Sequence, residues 1–140
     1  MSRVILITRA VTGLLFLAQF VLGIVLWTGH GLSLVQVHMG LGSLFVLGVW
    51  TIAAVCAHAG APRGGALGVA IVGAIVLLFG MTQTRILPGS QHWVVAVVHL
   101  LLGFAAMATA GRLTTLVPGM EHRPTHGHGP RHEPVGTLGR

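Results

Sequence analysis

The chain has 140 residues, 54% of them apolar and only 7% charged, against about 25% charged in an ordinary soluble domain. Eight arginines, no lysine and two glutamates cannot solvate a globule of this size, which excludes a water-soluble fold. The formal net charge of +6 would suggest nucleic acid in a soluble protein, but these arginines lie between apolar runs or in the tail and form no basic stripe.

Four stretches are long and apolar enough to cross about 30 Å of hydrocarbon, for which about 20 residues are needed. They are residues 10–28, 34–58, 65–82 and 92–111, and none contains Asp, Glu, Lys or Arg. Arg3 and Arg9 before the first run imitate a signal peptide, but no small-x-small cleavage site follows Trp27, so the run is kept as a helix. The connections, residues 29–33, 59–64 and 83–91, are short and make neighbours antiparallel. The expected fold is all-α, an integral membrane up-down four-helix bundle. Its domain covers residues 1–112, followed by a disordered tail, 113–140, rich in histidine, proline and glycine.

Arginine placement sets the expected orientation. Arg3, Arg9, Arg63, Arg112, Arg123, Arg131 and Arg140 fall on one side, and Arg85 alone on the other. The positive-inside rule then puts both termini in the cytoplasm, with the chain in the cell inner (plasma) membrane. Trp27 and Trp93 sit at the opposite, outer ends of the first and fourth helices, where an aromatic belt belongs.

Ionisable residues within a span are functional candidates by default. His38 lies about one turn into the second helix from the outside and His99 about two turns into the fourth, within about 5 Å in depth at 1.5 Å per residue. The local sequences VQVHMGLG and VAVVHLLLG each place a glycine four residues after the histidine, Gly42 and Gly103. Residues i and i+4 share a helix face, so these glycines are expected to leave bare backbone for a flat macrocycle. Two imidazoles on facing helices beside such backbone suit a bis-histidine haem, because haem iron accepts imidazole nitrogen. The alternative is structural: buried histidines hydrogen-bond across helices, and glycines permit close packing.

Arg85, the one outer cation, is a candidate partner for a haem propionate, and His92, seven residues before His99, shares its face and is a candidate outer partner. His30 is interfacial on the same side, and Met39 and Met81 near the site are read as packing. Gln19, midway along the first helix, is read as a cross-helix hydrogen bonder. His58 has no second histidine at its depth, so one haem per chain is expected. A lone Cys56 gives no disulfide and no cysteine-based zinc site. His122, His126, His128 and His132 in the tail are a weak metal-binding tract.

The run LGIVLWTGHGLSLVQVHMGLGSL, residues 22–44, and VVHLLLGFAA, residues 97–106, resemble one four-helix half of the haem A synthase family. The likeness covers about residues 10–112 and implies that His38 and His99 are axial ligands of haem b iron. Family enzymes have two such halves and this chain has one. A glutamate shortly before the second-helix histidine is replaced here by Val35 and Gln36, and an external cysteine pair is missing. Haem-modifying catalysis is therefore not carried over. The expected function is a membrane b-type cytochrome for electron transfer, or for holding and delivering haem. Its partners are the lipid bilayer, haem, a quinol or redox protein, and a second copy that would imitate the eight-helix arrangement. A haem-modifying oxidoreductase and a cofactor-free membrane anchor or assembly factor are the alternatives.

Overall fold

A computed structural model of the chain describes residues 2–29, 31–86 and 89–118. Four helices follow one another: α1 Ser2–Trp27, α2 Val35–His58, α3 Arg63–Thr82 and α4 His92–Thr115. Among the described residues there is no strand, and all four helices are long and apolar enough to cross a membrane. The protein is an all-α bundle of multi-pass membrane character. His30 and the tail from residue 119 onward lie outside the described residues, and with them the four tail histidines.

α1, α3 and α4 extend past the apolar stretches that announce them, while α2 matches its stretch to within one residue. α1 starts at Ser2, because residues 2–9 contain no glycine or proline to break it, so Arg3 and Arg9 are on the helix. Its 26 residues make it about 39 Å long at 1.5 Å per residue. Arg9 Nη1 donates to Thr114 Oγ1 at 3.2 Å, and that hydroxyl donates to the Gly111 carbonyl at 2.7 Å, fastening α1 to the end of α4. α4 continues through buried Leu113 and Thr114 to Thr115.

The turns explain the antiparallel order. After α2 the Ala61 amide returns to the Cys56 carbonyl at 2.9 Å and the Gly60 amide to Ala57 at 3.2 Å. This is a Schellman termination, which needs a left-handed residue, and Gly60 supplies it with φ 90°. Pro62 then precedes α3. The α1–α2 turn uses Gly29 and Gly31 at φ 75° and 74°, and Gly89 precedes α4 at φ 93°.

α2 packs against all three other helices, while α1 and α3 do not touch. The α2–α4 contact is thus the short diagonal of the bundle. The start of α1, the end of α4 and the Ala59–Pro62 turn share one end, called here the end near the termini; the turns before α2 and before α4 share the other, called here the two-loop end. Packing differs sharply along this axis. Toward the termini, Phe45, Val46, Val49, Ile52, Ala53 and Cys56 of α2 pack with Ile5, Val69, Ala106, Ala110 and Leu113 in one core. Toward the two-loop end, across residues 17–27, 35–44, 77–82 and 92–105, Val95 is the one buried side chain among the described residues.

The outward faces are apolar, with Leu14, Leu17, Val21 and Ile24 of α1 and Leu67, Ile71 and Leu78 of α3 exposed. Ser43, Thr51, Thr82 and Thr109 each donate to the carbonyl four residues back. Lipid offers no hydrogen-bond partner, so this internal satisfaction suits a helix facing hydrocarbon.

Candidate functional site

His38 is the fourth residue of α2 and His99 the eighth of α4. Both helices start at the two-loop end, so both imidazoles belong to the loosely packed half, and both are half-buried. The rings lie on opposite flanks of the α2–α4 diagonal. A Cβ built on Gly23 of α1 would meet His38 Cε1 at 3.7 Å, and one on Gly80 of α3 would meet His99 Cε1 at 2.9 Å. The ring of Phe79 is stacked on that of His99, with centroids 6.1 Å apart and planes 12° from parallel.

Nδ1 of His38 and Nδ1 of His99 are buried without a hydrogen-bond partner. His58, at the other end of α2, behaves differently: its Nδ1 lies 3.1 Å from the Ala54 carbonyl, the helix's own acceptor one turn back. Leaving a buried polar nitrogen unpaired costs about 1–3 kcal/mol. Such an atom in a native fold calls for a water, an ion or a ligand.

The glycines expected beside the histidines have other neighbours. A Cβ on Gly42 would meet Gln19 Nε2 at 2.6 Å, and one on Gly103 would meet the Phe16 ring at 3.6 Å. Their bare faces are thus filled from α1, and the glycines that touch the imidazoles are Gly23 and Gly80. Gln19 is half-buried, and its Oε1 is a third unpartnered polar atom in this half. Beneath these groups, toward the termini, lies an aromatic layer. Phe16 is 5.7 Å from Phe45 and 5.0 Å from Phe104, and Phe20 is 5.9 Å from Phe104, centroid to centroid.

His92, partly buried, opens α4 two turns from His99, and Arg85 is exposed after α3 at the same end. Met39 and Met81, expected to pack near the site, are exposed instead. Among the described residues no group of three or more His, Cys, Asp or Glu side chains converges. A three-ligand zinc site of the usual kind is therefore not assembled from them. Sequence reading identified the two histidines but missed Gly23, Gly80 and Phe79. The only signal for these was helical register, which requires knowing how the helices face. No family model, no curated protein and no solved structure matches the chain.

Proposed function

We propose that the chain is a membrane-embedded b-type cytochrome in which His38 and His99 hold one haem b near the two-loop end. One observation carries the reading: two imidazoles from facing helices, each with an unpartnered ring nitrogen, share the half of the bundle that lacks a close-packed core. The donor set suits the group. Neutral imidazole is a good haem-iron ligand and enters a membrane more cheaply than a charge. Arg85 at the same end would attract a propionate, and His92 would be an outer partner of the pocket. Haem in this setting supplies a one-electron couple, for electron transfer or for haem holding and delivery. Two protein ligands leave no vacant iron position for oxygen. The likeness of residues 22–44 and 97–106 to half of haem A synthase supports the same assignment. Neither Val35 nor Gln36, before His38, is the acid that a haem-modifying enzyme would need there.

On this reading the chain sits in the plasma membrane with both termini on the cytoplasmic side, the orientation that the arginine bias favours. A quinol or a redox protein exchanges the electron, and a second copy would complete an eight-helix arrangement. The test is the absorption spectrum of protein purified from membranes, oxidised and dithionite-reduced. Wild type is expected to give sharp low-spin b-type bands, lost in both His38→Ala and His99→Ala. A protein that stays colourless after expression with haem supplied overturns the proposal and returns the histidines to a structural role.

A further inference from the structure

We infer that the groove between the start of α1 and the end of α2 holds an acyl chain of one phosphatidylglycerol molecule, whose headgroup meets Arg3 and His58. The groove measures about 400 Å³ and is lined by Val4 of α1 and by Ala54, Val55 and His58 of α2. Its size falls within the range of about 300–1,000 Å³ usual for ligand sites. Val4, Ala54 and Val55 make it a place for hydrocarbon rather than for a polar solute. His58 stands about 30 Å along α2 from His38. The groove is therefore separate from the histidine site, and its occupant does not rest on the haem reading.

Depth and charge choose that occupant. The 26 residues of α1 exceed the roughly 30 Å of hydrocarbon in a bilayer, so the helix reaches headgroup level, and the groove opens at its first turn. Arg3, next to Val4 in the chain, is exposed there. Arg63 and Arg112 belong to the same end, where Arg9 is already engaged by Thr114. Among the described residues there is no Asp or Glu to offset these charges. Clustered arginines at a membrane surface attract anionic lipids. A quinone or quinol would suit the apolar lining as well, but it offers the arginines no charge.

His58 narrows the choice of headgroup. Its Nδ1 lies 3.1 Å from the Ala54 carbonyl, and a carbonyl only accepts, so Nδ1 carries the hydrogen. In the neutral ring Nε2 is then an acceptor and calls for a donor. An ionised phosphodiester has no hydrogen to give, whereas the glycerol headgroup of phosphatidylglycerol has hydroxyls. That lipid supplies both the negative charge for Arg3 and the donor for His58.

The test is native mass spectrometry of the full-length protein, stripped of lipid in detergent and titrated with single lipids. Wild type is expected to bind one phosphatidylglycerol about fivefold more tightly than phosphatidylcholine, the effect of about one arginine near a charged surface. It should also prefer phosphatidylglycerol to phosphatidylmethanol, equally charged but without a hydroxyl, by about fivefold, the size of one net hydrogen bond. Arg3→Gln should abolish the first preference and His58→Phe the second. Ala54→Phe fills the groove from an exposed position and should remove the bound lipid. Leu67→Phe, on the exposed face of α3, should leave it in place. Equal affinity for phosphatidylglycerol and phosphatidylcholine overturns the proposal, as does lipid retained by Ala54→Phe. So does an equal loss in Ala54→Phe and Leu67→Phe, which would mark damage to the bundle. Tighter binding of ubiquinone than of phosphatidylglycerol would give the groove to a quinone instead.

Discussion

At the two histidines, single-atom distances decide what a substitution costs. A methyl group on Gly80 would stand 2.9 Å from His99 Cε1, closer than real carbons pack, with Phe79 stacked on the same ring. A methyl on Gly23 would stand 3.7 Å from His38 Cε1, an ordinary contact. Gly80→Ala should therefore displace the His99 ring, at an overpacking cost of about 1–3 kcal/mol, and, if the protein holds the proposed haem, lower the amount that survives purification. Gly23→Ala should change stability by less than about 0.5 kcal/mol, as benign substitutions do, and retain wild-type haem. Haem-to-protein ratio by pyridine haemochrome, with thermal unfolding in detergent, checks both; equal losses in the two variants would refute the asymmetry. The histidines were legible in the sequence because a polar ring within an apolar run stands out unaided. Their glycine neighbours were not, because i+4 spacing tells which face of its own helix a glycine occupies but not what the facing helix brings there. At Gly42 and Gly103 it brings Gln19 and Phe16, side chains large enough to occupy the space that the sequence left bare.

Between elements, α2 and α3 are joined by a polar contact in an otherwise apolar interface. Trp50 Nε1 donates to the Ala70 carbonyl at 3.0 Å, and the indole fits because Gly73 has no side chain: a Cβ there would meet Nε1 at 2.8 Å and Cδ1 at 3.2 Å. Interhelical hydrogen bonds in membranes average only about 0.6 kcal/mol, whereas overpacking a close contact costs about 1–3 kcal/mol. Gly73→Ala is thus expected to destabilise the bundle more than Trp50→Phe, although the latter deletes the hydrogen bond. Unfolding in mixed micelles gives the order, and a larger loss for Trp50→Phe would show that the bond, not the fit, dominates. At this scale the sequence was informative about the spans, since charge-free apolar runs mark them directly. It was less so about their ends. Nothing in residues 2–9 stops a helix, so α1 carries Arg3 and Arg9, and Arg9 reaches Thr114 across the bundle.

Across the whole molecule, close packing and chemistry are segregated. The half near the termini holds nearly all the buried apolar side chains and one buried unpartnered polar atom, Thr12 Oγ1, and the half near the two-loop end holds the other three, on His38, His99 and Gln19, with Val95 as its one buried side chain among the described residues. Helix association in lipid depends on packing and hydrogen bonds rather than a hydrophobic drive, so the loosely packed half should open more readily than the rest. Local opening has its own free energy and is read by amide exchange. In haem-free protein, amides of residues 35–44 and 92–103 should exchange faster than those of residues 45–58 and 106–115, where α2 and α4 are densely packed. Haem held between His38 and His99 would tie these outer segments, those at the two-loop end, together, and binding to the closed form adds stability that grows with the logarithm of ligand excess over Kd. Loading should therefore slow exchange in the outer segments and leave the inner ones nearly unchanged. Hydrogen–deuterium exchange with peptide mapping, with and without haem, measures this directly. Uniform protection in the haem-free protein, or an equal gain along each helix on loading, would mean that the packing difference does not create a separately folding site.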